Sequence, residues 1–265
     1  MDETEALLKY QGKREKFASL VDGAFQLGST CDSRPAETWR LRVAVDIFTK
    51  LTLHGMAIRT LFPATPPVWD IGSLAVLTRA VIDTYFALFY FAADKDSDEQ
   101  IELRHVVGNY NLTKHRNQIL DFIGSEHSET PEVSGTVDKA LADLRRNAIF
   151  QGLEQSEKKD IEDGRKSILL TNSALAQRAG ISPRFYRGMY KYLSGHVHTL
   201  PIAIQQMNTP KRPDQILIVW NFLDLNSGYL ALGIRDFVRI FPASRGLLSD
   251  SLMAEIRRRE NELSA

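Results

Sequence analysis

Cysteine is almost absent: the 265 residues hold one, Cys31, so no internal disulfide framework can form and the chain suits a reducing compartment. Net charge is absent too. Lys plus Arg and Asp plus Glu number 33 each, so no whole-protein field draws in nucleic acid or an anionic membrane, and any such binding must be local. No apolar leader core follows Met1-Asp2-Glu3-Thr4-Glu5, which is acidic where a secretory signal is basic, so a cytoplasmic protein is expected. Repeats and low-complexity segments are lacking. The alternating polar and apolar runs that mark strands are few, which argues against sandwiches and barrels.

What is present is helical periodicity. Leu, Ala, Ile and Phe recur at three- and four-residue spacing along most of the chain, which predicts an all-α protein, a single helical domain over 1–265 with about eight to nine helices. The expected helices run over 4–27, 35–62, 69–93, 97–123, 132–150, 173–179, 183–199, 215–241 and 248–263. Pro35 suits a first-turn position, the cluster Pro63 to Pro67 ends the second helix, and Ser97 with Gln100 offers an N-cap. The charged stretch 154–166 reads as an exposed, mobile connection, and 201–213 as a proline-bounded loop. Ile216 to Trp220 is β-branched enough to leave a short strand open as the alternative to helix. The long terminal helices suggest a homo-oligomer.

Between Ile71 and Ala93 the only ionisable charges at neutral pH are Arg79 and Asp83. The length would span a bilayer, but two central charges cost about 2.5–3.5 kcal/mol each on an insertion scale. With no second span of comparable apolarity expected, a buried core helix is the better reading and no membrane association is expected. Arg79 and Asp83, four residues apart, share one helix face. Either they form a structural ion pair, or they face another polar strip.

Such a strip lies downstream. Tyr186, Tyr190, Ser194 and His198 follow at intervals of four and share one slowly drifting helix face, a ladder of hydrogen-bonding groups. The catalytic candidates are Ser194, His198 and Asp83, with Arg79, Asp83, Tyr190, Ser194 and His198 as a ligand-binding set for a small anion or RNA. A serine hydrolase is disfavoured, since the Gly-x-Ser-x-Gly elbow is missing. His196 and His198 point to opposite sides of a helix, and His105, His115 and His127 fall on separate turns, so no metal and no cofactor are expected. The plain alternative for every ladder member is a buried polar group satisfied by one partner.

Residues 173–192 also read as a helix-turn-helix, with Gly180 at the turn, Ile181 between the helices, and Arg184, Arg187 and Lys191 available to phosphates. The second helix carries Phe185, Tyr186, Met189, Tyr190, Tyr192 and Leu193, which leaves little polar surface for base edges and weighs against DNA.

Taken together, Arg79-Ala80-Val81-Ile82-Asp83 and the later Tyr-x-x-Leu-Ser-x-x-x-His of Tyr190 to His198 resemble a widespread bacterial family of all-helical proteins of unknown function, from about Trp69 to Pro201. The resemblance implies a helical fold and a shared polar pocket, with Glu more usual where this chain has Asp83. A more distant similarity is to the HEPN ribonucleases, which implies a nuclease-like role in defence or stress. Their Arg and His stand closer on one helix than Arg187 and His196 do here.

Overall fold

A computed structural model of the chain describes residues 2–31, 38–62, 69–124, 131–198, 200–207 and 212–264. Among them there is no strand, and the elements are α1 (Glu3–Cys31), α2 (Trp39–Thr60), α3 (Ile71–Leu88), α4 (Asp98–Phe122), α5 (Pro131–Arg146), α6 (Ala148–Gly152), α7 (Gln155–Glu162), α8 (Asn172–Arg178), α9 (Pro183–Val197), α10 (Pro201–Met207), α11 (Arg212–Ile240) and α12 (Asp250–Ser264). A π-helical turn, Phe89–Ala93, extends α3, and a 3-10 turn, Pro242–Leu247, precedes α12. Pro35, the prolines at 63–67 and His127 lie outside the described residues.

The protein is all-α, with more helices than periodicity suggests because local capping cuts long apolar runs. Asn147 breaks the expected fifth helix: its side chain accepts from the Phe150 N–H and starts α6. The charged stretch at 154–166, expected as a connection, carries α7, and the expected loop at 201–213 carries α10. Ile216 to Trp220 is helical within α11, where packing overrides β propensity.

The chain divides into two compact units, one formed by Met1–Asp94 with Asn172–Ala265 and the other by Lys95–Thr171. In the first, α11 is the axis, packed by α1, α2, α3 and α12. Its apolar side chains are buried nearly all round, from Ile216 and Val219 through Leu223, Tyr229 and Leu230 to Phe237, as a central helix requires. In α1, Tyr10, Phe17, Leu20, Val21, Ala24 and Leu27 are buried at helical spacing. Phe48 of α2 stacks on Phe237 with centroids 4.0 Å apart, and Gly233 lets Leu51 approach the α11 backbone so closely that a Cβ there would collide with it.

A second long apolar stretch therefore exists, contrary to the expectation from sequence. Ile71–Ala93 and Gln215–Ile240 both have the length and apolarity of a membrane span, yet their most apolar windows are 61% and 72% buried inside the protein. Both serve as core helices of the unit.

In the second unit α4 packs against α5 and α6, and Leu103, Val107, Tyr110, Ala140, Leu144, Phe150 and Ile161 form its core. Side chains of α4 close the end of α7: the Tyr110 hydroxyl donates to the Glu162 carbonyl at 2.6 Å and the Asn111 amide to the Gly164 carbonyl at 3.0 Å. Gly164, at φ +78°, holds a left-handed turn that a side chain would strain.

Candidate functional site

The site begins with how α9 is placed beside α3. Asp94, just past the π-helical turn of α3, is bound by Arg178 of α8, whose Nη2 and Nε lie 2.8 and 3.1 Å from its two carboxylate oxygens. Arg40 of α2 donates to the Ala92 and Asp94 carbonyls at 2.7 and 3.1 Å, which anchors the same end. From α8 the chain turns through Gly180 at φ +79°, and α9 starts with Ser182 as N-cap and Pro183 in its first turn. The expected helical hairpin is therefore present. It delivers Tyr186 against Phe86 of α3, ring centroids 5.2 Å apart, and stacks Tyr190 beside Tyr186 at 5.3 Å.

With α9 held there, the two polar strips meet. Arg79 Nη2 donates to the Tyr190 hydroxyl at 2.7 Å and Nη1 to the Ser194 hydroxyl at 3.2 Å, while the guanidinium carbon lies 4.6 Å from the Tyr190 ring centroid. Asp83 completes the group more loosely, its Oδ2 3.6 Å from Arg79 Nε. The arginine side chain is 22% exposed and the carboxylate 49%.

The electrostatics are unevenly matched. Partial burial among α3 and α9 side chains pushes the Asp83 carboxyl above its ordinary range, and Arg79 opposes that shift without cancelling it. The Tyr186 hydroxyl is buried without a hydrogen-bond partner among the described residues, as is that of Tyr229 on α11. Burial is the main cause that raises both phenols well above normal, and the Asp83 charge adds to the shift at both rings.

Four of the five expected binding residues, Arg79, Asp83, Tyr190 and Ser194, thus come together. His198 does not join them. It caps the end of α9, exposed to solvent, with its backbone N–H on the Ser194 carbonyl at 3.1 Å, and its ring makes no hydrogen bond or ion pair to the other four. The Ser194 hydroxyl instead accepts from Arg79, so the Ser194–His198 hydrogen bond expected of a nucleophile and base is not formed. His196 faces away and is buried against the edge of Tyr192, centroids 5.0 Å apart. No group of three or more His, Cys, Asp or Glu converges as a metal would need among the described residues.

A family model covers residues 68–216, more than half of the chain, and so spans α3 through α10 with Arg79, Asp83, Tyr190 and Ser194 inside it. The chain belongs to the family of unknown function DUF5677. No curated protein and no solved structure matches it. The DUF5677 segment takes in the whole Lys95–Thr171 unit and the α3–α9 seam, but only the start of α11.

Two polar clusters centred on α11 and α12, largely outside that segment, escape a reading of motifs. Lys13, Asp224, Arg259 and Glu262 join α1, α11 and α12, with Arg259 only 2% exposed. Tyr85, Arg235, Asp236 and Glu260 join α3, α11 and α12. The signal was available: Asp224, Arg235 and Asp236 are charges set within the apolar run of α11, an anomaly like that of Arg79 and Asp83.

Proposed function

We propose that the α3–α9 seam is an anion-binding site and that the protein works by holding the phosphate group of a small ligand against Arg79. One observation carries this reading: the guanidinium is fixed by two hydroxyls, while its one carboxylate stands 3.6 Å off and is half exposed to solvent. A guanidinium has five N–H donors, and the hydroxyls take two of them. An oriented, undercompensated arginine with donors to spare is suited to a bidentate contact with phosphate. In this reading Tyr190 and Ser194 set the plane of the fork, and Asp83 steadies its Nε side from 3.6 Å. His198 lies one turn beyond Ser194, about 6 Å along the helix axis, at the exposed rim.

Titration calorimetry with inorganic pyrophosphate tests the reading. One equivalent is expected to bind the wild type, and Arg79→Gln is expected to weaken binding by more than about tenfold while the far-ultraviolet spectrum stays helical. An unresponsive wild type, or an Arg79→Gln protein that binds equally well, ends it.

A second reading has its own observation. Arg184, Arg187 and Lys191 are all exposed on α9, beyond the Gly180 turn, where a helix-turn-helix would present them to nucleic-acid phosphates. Because Tyr186 and Leu193 of the same helix are buried, only that edge is offered. Fluorescence anisotropy with duplex DNA decides: the double variant Arg184→Glu, Lys191→Glu is expected to abolish a salt-dependent signal, and an absent wild-type signal removes the reading.

A further inference from the structure

On another side of α9 lies a cavity of about 590 Å³, inside the roughly 300–1,000 Å³ range of small-molecule sites. Phe185, Met189 and Tyr192 line it at helical spacing, turned about 100° from the strip that carries Tyr190 and Ser194. Phe222 and Leu225 of α11 and Leu263 of α12 add apolar wall. Its charged lining is Lys13, Asp224, Arg259 and Glu262, two cations against two acids.

Those cations are not fully spent. Arg259 is 2% exposed; its Nε donates to Glu255 at 2.9 Å and its Nη1 to Asp224 and Glu262 at 2.7 and 3.1 Å, while Nη2 makes no hydrogen bond among the described residues. Lys13 Nζ has three donors and gives two to the Asp224 carboxylate, at 2.7 and 2.6 Å. A buried guanidinium that served only as scaffold would use every nitrogen, as Arg235 does with Nε, Nη1 and Nη2 all donating. These donors are within reach of solvent through the cavity, so an acceptor that enters it can take the place of water there.

We propose that this cavity is a second ligand site, separate from the Arg79 seam, and that it takes an amphipathic carboxylic acid. The apolar body packs against Phe185, Met189 and Phe222, and the carboxylate accepts from Arg259 Nη2 and Lys13 Nζ. An amine is disfavoured because the acids of the lining are already engaged, Asp224 by Lys13 and Arg259, and Glu262 by Arg258 and Arg259. An alcohol fills the same apolar space but forgoes the charge-assisted contacts, which are about twice as strong as neutral ones.

Displacement of anilinonaphthalene sulfonate fluorescence tests the proposal with the full chain. The dye is expected to bind saturably, decanoate to displace it, and decanol to be weaker by about tenfold or more. Met189→Trp fills the cavity and is expected to weaken decanoate by at least about tenfold while pyrophosphate titration is unchanged. Phe185 is 39% exposed, so Phe185→Asp can be made without burying a charge, and it is expected to repel decanoate but not decanol. Decanol competing as well as decanoate, unsaturable dye uptake, or indifference of decanoate to Phe185→Asp overturns the proposal. None of these outcomes depends on whether Arg79 binds phosphate.

Discussion

Two arginine–aspartate pairs sit on adjacent core helices of the same unit, and they differ in how fully the arginine is used. Arg235 grips Asp236 with Nε and Nη2 at 2.8 and 2.9 Å, gives Nη1 to Glu260 at 2.7 Å and touches the Tyr85 hydroxyl at 3.3 Å. Tyr85 adds its own hydroxyl to Asp236 at 3.1 Å, and the aspartate side chain is 3% exposed. Arg79 instead meets two neutral hydroxyls and a carboxylate at 3.6 Å that is half in solvent. The first pair reads as scaffold, because its charges are answered within the fold. The second is open and unevenly answered, the condition in which a polar cluster has capacity left for a ligand.

The contrast is broken most severely at Asp236. Asp236→Ala leaves the Arg235 charge buried without its main partner, and urea denaturation should show a loss of about 3–5 kcal/mol. A loss under about 1 kcal/mol would mean the network is not the scaffold described above. Tyr85→Phe removes one buried hydroxyl from the same network, and its expected cost is smaller, about 1–2 kcal/mol.

At the open pair the expected stability changes shrink further and the functional ones grow. Arg79→Gln should cost less than about 1 kcal/mol, since the ion pair it removes is long and partly exposed, yet it should lose pyrophosphate binding. A large stability loss without a binding change would place Arg79 with the scaffold. The smallest effect belongs to Asp83→Asn. Burial raises the Asp83 carboxyl, so the fold binds that proton more tightly than the unfolded chain does. Its stabilisation is present below the ordinary value of 3.8 and is lost as pH rises through the folded value. An asparagine, neutral throughout, escapes that loss. The variant should therefore gain on the wild type as pH climbs through this window and hold a constant difference above it; a difference that moves the other way in thermal melts shows that Arg79 dominates the pair.

Much of the architecture was legible because helix signals are local. Ser97 caps α4 by accepting from the Gln100 N–H at 3.3 Å, Pro183 sits in the first turn of α9, and Gly180 makes the turn before it, all as residue type suggests. Asn147 was passed over because its neighbours continue the apolar period, and only the cap it forms shows that the helix restarts. The helix at Pro201–Met207 was hidden by the prolines that flank it.

The Arg79 site was half legible. Spacing of four put Arg79 with Asp83 and Tyr190 with Ser194 on single faces, and an isolated charge pair in an apolar helix demanded a partner. The same spacing also puts His198 on that face, but periodicity does not register that α9 ends at Val197, and the His198 ring makes no hydrogen bond or ion pair to the other four residues. Beyond the last turn a side chain no longer follows the face of its helix.

By itself the amino-acid sequence determined the all-helical class, the buried apolar helix at 71–93 and the charge pair in it that needed an answer, since propensity, capping and periodicity act over a few residues. Tertiary structure alone decided which charges answer which. Arg79 and Ser194 are 115 positions apart, and Lys13 and Asp224 are 211. Contacts at such separations depend on how α1, α3, α9 and α12 lie around α11, which is set by the summed burial of many side chains and not by any one motif.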